Sequence, residues 1–200
     1  MATDYKKLVE DLLAFYDFKE KTVLSVGAGG GQFIEFGRET GQVLALDSDG
    51  QALENLRENL RIAGLESKFA PILGDFFEVE LKADVVYFEF SLHEMRDPGA
   101  AVERGRSMAP AVVVFDHWPG SEWTYCTAEE NKVAASWESL SRFPVKKKEM
   151  HEAVQFFNDY EELFQKVKGQ GETSLERIER YKGQTGIRIP MRYGLALIAG

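Results

Sequence analysis

Short, mainly apolar runs separated by amphipathic segments fill the first 117 residues of the chain. Each run is five or six residues long, as expected for strands covered on both faces, and the runs lie at residues 22–26, 43–47, 68–73, 83–88 and 111–115. Between the second and third runs, Leu53, Leu56 and Leu60 recur at helical spacing among charged residues. This strand-helix alternation predicts an open, mostly parallel sheet with right-handed crossovers and a binding site above the carboxyl ends of its strands.

The pattern differs at the two ends of the chain. Residues 5–16 repeat apolar positions at helical spacing and predict a helix that Asp4 can cap. Residues 118–171 are rich in aromatic and charged side chains and predict a mostly helical region. One buried helical face in that region is indicated by the spacing of Phe156, Phe157, Tyr160 and Phe164. Two last segments, 175–181 and 193–199, predict a pair of strands.

Length and composition are those of one domain. A chain of 200 residues that is 44% hydrophobic can enclose a substantial core, and no second domain is predicted. The single domain, residues 1–200, divides into an N-terminal helix, a strand-helix core, a helical region and a C-terminal hairpin, at 1–20, 21–117, 118–171 and 172–200.

A glycine-rich turn follows the first strand. Gly27, Gly29 and Gly31 let the chain turn sharply and let a ligand approach the backbone, while the amides that follow open a helix. Asp47 ends the second strand, 20 residues after Gly27. A carboxylate at that offset can accept hydrogen bonds from both hydroxyls of a ribose. The pair predicts a site for a nucleoside-type cofactor.

Two other phosphate-binding patterns are absent from this turn. A dinucleotide fingerprint needs a third glycine where the chain has Gln32, and a phosphate-binding P-loop needs a Gly-Lys-Ser/Thr sequence that does not occur. The pattern G-x-G-x-G with a downstream acid instead resembles the first two motifs of class I S-adenosylmethionine-dependent methyltransferases. A nicotinamide-dependent oxidoreductase is a less favoured alternative because of Gln32 and the C-terminal hairpin.

The resemblance extends over nearly the whole chain, since that family also has five strand-helix units and ends in a hairpin. It implies an α/β, doubly wound, mostly parallel, seven-stranded Rossmann-like sheet with one antiparallel strand in the C-terminal hairpin. Residues 21–117 would bind the cofactor and residues 118–171 would form the acceptor pocket. The implied cofactor-binding residues are Gly27, Ala28, Gly29, Gly31, Asp47, Ser48, Asp75, Phe76, Phe77, Glu89 and Phe90.

Two carboxyl groups have specific roles in this resemblance. Asp75 would accept from the exocyclic amine of adenine, beside the backbone of Phe76 and the ring of Phe77. Glu89 would receive the methionine ammonium group, and the more so because Ser25 stands where the family usually has an acid. That departure keeps open a second possibility, a non-catalytic protein that binds the cofactor or a partner on the same fold.

The resemblance implies methyl transfer from S-adenosylmethionine to an O, N or S atom, with S-adenosylhomocysteine as product. The protein must hold the acceptor near the methyl group and exclude water, and a hydroxyl acceptor also needs a base. His93, just past the fourth strand, is the first candidate base, and a packing or capping role is the alternative. His117, after the fifth strand and next to Asp116, is the second candidate, unless Asp116 only holds a loop.

The rest of the acceptor site is predicted from side chains near the strand ends. Glu94, Trp118, Trp123 and Tyr125 are assigned to the substrate pocket, with core packing as the alternative for the aromatic rings. Trp137 has helical spacing and is predicted to lie in the core. No metal is predicted, because the acids and histidines near the strand ends follow no ligand motif.

Charge narrows the partners. A net charge of −9 and a pI of about 5.0 repel phosphate backbones and anionic lipids, so the predicted acceptor is a small molecule, with no nucleic acid or membrane partner. The single cysteine, Cys126, and the lack of an apolar leader or a membrane-spanning stretch lead us to expect a cytoplasmic location. Neither the acceptor atom nor the oligomeric state follows from the sequence.

Overall fold

The protein is described here from a computed structural model, which covers residues 2–3, 5–121 and 127–200. The described strands form one mixed sheet in the order β1-β7-β8-β6-β5-β2-β3-β4. Their bounds are β1 Ala2–Thr3, β2 Thr22–Val26, β3 Gln42–Asp47, β4 Phe69–Leu73, β5 Val85–Glu89, β6 Ala111–His117, β7 Val145–Asp159 and β8 Thr185–Ala199.

Helices pack on both faces of the sheet. The α-helices are α1 Tyr5–Phe15, α2 Gly50–Ala63, α3 Pro98–Met108, α4 Thr127–Ser139, α5 Tyr160–Val167 and α6 Glu172–Ile178. Short 3₁₀ segments lie at Ile34–Arg38, Leu92–Glu94, Leu140–Arg142 and Glu179–Tyr181. No helix in the described part of the chain is long and apolar enough to cross a membrane.

The predicted fold class is confirmed. Strands β2 to β6 are parallel to one another, and β8 inserts antiparallel between β6 and β7. Strands β2 to β8 give the expected number of seven, and the two-residue β1 adds an eighth at the edge of β7. Strands β5 and β6 lie in the middle of the sheet, and their side chains are buried on both faces.

Local signals explain where several helices begin and end. Asp49 caps α2 by accepting from the Gln51 amide, and Gly64 ends the helix in a left-handed conformation. Asp97 caps α3 by accepting from the Ala100 amide, with Pro98 at its first position. Leu53, Leu56 and Leu60, whose spacing predicted a helix, lie in α2 and are buried. Asp4, the predicted cap of α1, lies outside the described residues.

Three predicted segments are wrong. The helix expected after the glycine turn is only the 3₁₀ segment Ile34–Arg38. The predicted strand at 175–181 is helical, and its Ile178 packs in a small cluster with α5. The region 118–171 is helical at α4, but β7 replaces the expected helix around Phe156, so the hairpin consists of β7 and β8.

The error at β7 has a physical cause. Ala153, Gln155 and Phe157 are buried while the residues between them are less so, which is the two-residue period of a strand. The aromatic positions also match a helical period, because Tyr160 and Phe164 lie on α5, the helix that follows. The long-range pairing of β7 with β8 decides the outcome, and this pairing is not visible in a local pattern.

Gly194 of β8 provides a test of the packing beneath α4. A Cβ atom there would lie 2.5 Å from ring atoms of both Trp118 and Trp137. We therefore expect Gly194→Ala to lower the free energy of unfolding by about 1–3 kcal/mol, measured by urea denaturation. Gly169→Ala is the control, since no atom lies within 4 Å of the added Cβ. Equal stability of the two variants would contradict this packing.

Candidate cofactor and acceptor site

The glycine turn brings three chain segments into close contact. Gly27 has a φ of +73°, and its amide donates to the Leu46 carbonyl at 2.9 Å. A Cβ atom on Gly27 would lie 2.3 Å from the Cβ of Ser91. The Ser91 hydroxyl donates to the Val26 carbonyl at 2.6 Å. Glycine is therefore required here both by conformation and by the close approach of the segment after β5.

Two backbone amides fix the carboxylate of Asp47 at the turn. The Gly29 amide donates to Oδ2 at 2.8 Å, and the Asp49 amide donates to Oδ1 at 2.9 Å. Asn59 of α2 holds the turn from the other side, because its side-chain amide donates to the Gly30 carbonyl at 2.7 Å. A carboxylate has about four acceptor positions, so Asp47 keeps capacity for two further donors.

A cleft of about 670 Å³ opens above the carboxyl ends of β2, β3, β4 and β5. This volume suits a small-molecule ligand. Several predicted residues line it: Gly27, Asp47, Ser48, Asp75, Phe76, Phe77, Phe90 and Glu94. Ala28, Gly29 and Gly31 belong to the turn that supports it, and their cofactor contacts stay a prediction.

The segment after β4 forms one wall of the cleft and is held by an arginine. The Asp75 side chain accepts from the Phe77 amide at 2.8 Å. Arg104 of α3 donates to the Phe76 carbonyl at 2.8 Å and to the Val79 carbonyl at 2.6 Å. Arg104 supports the wall without lining the cleft, and its sequence context on an amphipathic helix gave no signal of this role.

Glu89 ends β5 and is buried, with 7% of its surface exposed. Its carboxyl lies 3.4 Å from the Ser25 hydroxyl, and no lysine, arginine or histidine among the described residues forms an ion pair with it. Burial raises the pKa of Glu89 to about 8; the Ser25 hydrogen bond opposes that rise and the charge of Asp47 adds to it. The next residue, Phe90, has a φ of +47° and turns the chain toward the cleft.

Together these residues fit an adenosyl ligand with an amino-acid tail. Asp47 offers acceptors for a sugar diol, Asp75 and the Phe77 ring lie on the wall where a base would pack, and Glu89 is a buried acid without a cationic partner. Gly27 lines the cleft, and the close approach of Ser91 leaves no room there for a Cβ atom.

A histidine and an aspartate form the second part of the site. His93 and Asp116 are 4% and 0% exposed, and the His93 Nδ1 lies 2.6 Å from Asp116 Oδ1. The other oxygen of Asp116 accepts from the His93 backbone amide at 2.9 Å. The predicted partner of Asp116 was the imidazole of His117, but only the His117 backbone amide donates to it, at 2.8 Å. Asp116 therefore orients His93.

The two histidines differ in charge preference. Burial alone would lower the pKa of His93, but the hydrogen bond and charge of Asp116, with the charges of Glu94 and Glu129, outweigh it and raise the pKa. Burial, reinforced by the nearby His93, places the pKa of His117 well below its usual value. The protonated form of His93 is therefore stabilised, whereas the neutral form of His117 is stabilised.

The same side chains could also serve as ligands of a metal ion. His93, Asp116 and His117 each offer a ligand atom, and these atoms lie within 4.8 Å of one another. Both oxygens of Asp116 already accept hydrogen bonds from His93 or from the His117 amide. This arrangement favours a hydrogen-bonded pair, and the absence of a metal from the reaction stays a prediction.

The structure tests only some of the positions predicted for the aromatic residues after β6. Trp137 is buried and its indole donates to the His117 carbonyl, in agreement with the predicted core position. Trp118 packs against Trp137 with ring centroids 4.8 Å apart and borders a small recess beside His117. Trp123 and Tyr125 lie outside the described residues, so their place in the acceptor pocket stays a prediction.

Comparison with known proteins identifies the family. A family model described as RNA cap guanine-N2 methyltransferase matches residues 20–135. The chain belongs to this family. It is a class I methyltransferase, and S-adenosylmethionine is its cofactor, which sets aside the non-catalytic and nicotinamide-dependent alternatives. No curated protein matches the chain.

Solved structures support the fold of this methyltransferase. A provisionally assigned methyltransferase from Bacillus halodurans C-125 has a TM-score of 0.70 at 13% identity, with 98% of each chain covered. YcgJ from Bacillus subtilis has a TM-score of 0.68 at 12% identity, covering 97% of this chain and 98% of its own. An S-adenosylmethionine-dependent methyltransferase from Aquifex aeolicus has a TM-score of 0.61 at 16% identity, covering 99% and 90%.

The contact at Gly27 generates a prediction about cofactor affinity. We expect Gly27→Ala to weaken S-adenosylhomocysteine binding at least tenfold, because the substitution strains a left-handed backbone by about 1–2 kcal/mol and displaces Ser91. Isothermal titration calorimetry measures the effect. Gly30→Ala is the matched control, since its Cβ would meet no atom closer than 3.7 Å. An unchanged dissociation constant for Gly27→Ala would rule out this turn as the cofactor floor.

Proposed function

We propose that this methyltransferase transfers the methyl group to a small-molecule acceptor whose O, N or S atom loses a proton during the reaction. The observation that supports the proposal is the buried pair of His93 and Asp116, with 2.6 Å between the ring nitrogen and the carboxylate. S-adenosylmethionine, when bound, supplies an electrophilic methyl group on a sulfonium.

His93 is the proposed general base. Asp116 Oδ1 accepts from Nδ1–H, which leaves Nε2 as the nitrogen that can take the acceptor's proton. Glu94 Oε1 lies 3.4 Å from Nε2, and it would stabilise the imidazolium that forms. Asp116 acts as a positioning residue because it fixes the ring and its tautomer. Burial of the pair helps to exclude water from the reacting groups.

The charge of the cleft supports a small acceptor over an RNA. Asp47, Asp75, Glu78 and Glu94 line the cleft, against the single cation Arg96. Chains that bind RNA or DNA generally neutralise phosphates with lysine and arginine. The overall charge of −9 has the same effect at longer range.

An RNA cap is the second candidate acceptor, because the matching family carries that name. Tritium transfer from labelled S-adenosylmethionine distinguishes the two. The enzyme is incubated with a metabolite extract, capped RNA, and total protein from the same source. We expect label in the metabolite fraction alone. Label in the RNA, with none in metabolites, would overturn the proposal.

The base assignment leads to a prediction about turnover. We expect His93→Gln to lower kcat by about 10²- to 10⁴-fold, because the acceptor's proton has no base to receive it. Asp116→Asn should also lower kcat, whereas the dissociation constant of S-adenosylhomocysteine should stay the same in both variants. The measurement is steady-state kinetics with the acceptor that the tritium-transfer experiment identifies.

The pH profile separates the base from a merely structural histidine. His93 must be neutral to accept a proton. Because its pKa is raised above the usual value of about 6.5, the neutral ring predominates only at a correspondingly higher pH. The kcat of the wild type should therefore rise with pH, with a midpoint above 6.5, and the midpoint should move down in Asp116→Asn. Equal losses in His93→Gln and His117→Gln, with no shift of the midpoint, would refute the assignment.

A further inference from the structure

Two chain segments meet beside the imidazole of His93. The 3₁₀ segment Leu92–Glu94 carries His93 and Glu94, and α4 carries Glu129. Each of these three side chains offers a ring nitrogen or a carboxylate oxygen, and the three atoms lie within 4.8 Å of one another. Glu94 also lines the cofactor cleft, which places this cluster next to the cleft.

No described residue donates a hydrogen bond to the Nε2 atom of His93. The ring donates through Nδ1 to Asp116, so in the neutral imidazole Nε2 is an acceptor. Its neighbour Glu94 Oε1 is also an acceptor and lies 3.4 Å away, beyond the usual length of a hydrogen bond. His93 is only 4% exposed, and a buried acceptor without a donor is unfavourable. A ligand that donates to both atoms would satisfy them.

The charges around the cluster favour a cationic ligand. Glu94 and Glu129 act on His93 by their negative charges, and Asp116 lies at the other nitrogen of the ring. Among the described residues, the one cation that pairs with the cluster is Lys132 of α4, which contacts Glu94 Oε2 at 2.8 Å. Three carboxylates therefore face one ammonium group, and the balance is negative.

The number of donors separates the possible acceptor groups. A hydroxyl or thiol has one hydrogen to donate, so it can satisfy Nε2 or the Glu94 carboxylate but not both. An aliphatic amine has a pKa close to the lysine value of about 10.4, so at pH 7 it is an ammonium group with several N–H donors. Such a group can donate to Nε2 and to both carboxylates, and its charge offsets the negative balance.

We propose that the methyl acceptor is a small aliphatic amine, whose ammonium group is bound by His93, Glu94 and Glu129 before the transfer. This inference rests on the proposed function, since it names the reacting atom of the small-molecule acceptor. Glu94 and Glu129 determine the specificity for a cationic nitrogen. Lys132 is a positioning residue, because it holds the second oxygen of Glu94.

The reaction balances with His93 as the proton acceptor. One N–H bond of the ammonium group breaks, and its proton passes to Nε2. The electron pair left on nitrogen forms the bond to the methyl carbon while the carbon–sulfur bond breaks, and that second pair stays on the sulfur of S-adenosylhomocysteine. The product leaves as a methylated ammonium ion, and the imidazolium returns its proton to the solvent.

The identity of the reacting atom is the direct test. The enzyme is incubated with a metabolite extract or with capped RNA, together with S-adenosylmethionine that carries a trideuterated methyl group. Tandem mass spectrometry then locates the deuterium in each product. We expect it on the nitrogen of an aliphatic amine. Deuterium on an oxygen, a sulfur or a ring nitrogen of a metabolite would overturn the amine proposal and leave small-molecule transfer intact, whereas deuterium in RNA alone would overturn the proposed function as well.

Steady-state kinetics with the amine so identified test the two carboxylates. Glu94→Gln and Glu129→Gln should each raise KM for the amine by about 10- to 100-fold, because each removes a charge-assisted hydrogen bond, and should lower kcat less than His93→Gln does. Glu138→Gln, at an exposed position on the same helix as Glu129, is the matched control and should leave KM unchanged. A wild-type KM in both Glu94→Gln and Glu129→Gln would overturn their role in specificity.

A divalent cation is the other ligand that such a cluster could bind, and it gives a different result. The kcat with the same amine is measured before treatment with EDTA, after it, and after MgCl₂ or ZnCl₂ is added back. We expect one value throughout, because the ammonium group occupies the cluster. Activity that is lost in EDTA and restored by either metal would overturn the proposal, since the cluster would then hold the metal ion.

Discussion

The site depends on one constraint: the carboxylate of Asp47 is held by the backbone amides of Gly29 and Asp49 where β2 and β3 end side by side. Parallel pairing brings the two tips together, and the glycine turn places an amide within reach. The left-handed conformation of Gly27 and its contact with Ser91 then bring the segment after β5 to the same point. The cleft, its aromatic wall and the pair formed by His93 and Asp116 are arranged around this junction.

Acidic groups are concentrated in the site, and the structure stabilises each in a different way. Asp47 accepts from amides, Asp116 accepts from His93 and from backbone amides, and Glu89 is buried beside Ser25. This division assigns separate tasks, because a carboxylate fixed by donors can orient other groups, whereas a buried acid without a cation can respond to an incoming charge. Acidic residues outnumber the basic residue Arg96 among those that line the resulting pocket.

Much of this arrangement was predictable because its signals are local. The apolar runs, the glycine turn, the position of Asp47 at a strand end and the helical spacing in α2 each depend on neighbouring residues, and the structure agrees with them. Strand β7 was predicted as helix, since its aromatic spacing matches two periods and only pairing with β8 decides between them. The link from His93 to Asp116 spans 23 residues, and Arg104 reaches a loop 25 to 28 residues away. Such contacts follow from the assembled sheet and cannot be derived from spacing.

The central claim is that Asp47 holds the adenosyl group of the cofactor at this junction. The most direct measurement is the dissociation constant of S-adenosylhomocysteine for Asp47→Asn, compared with Glu54→Gln on the exposed face of α2. Loss of charge-assisted hydrogen bonds worth about 1.5–3 kcal/mol should weaken binding by roughly 10- to 100-fold in the first variant and leave it unchanged in the second. Equal affinity in wild type and Asp47→Asn would contradict the account.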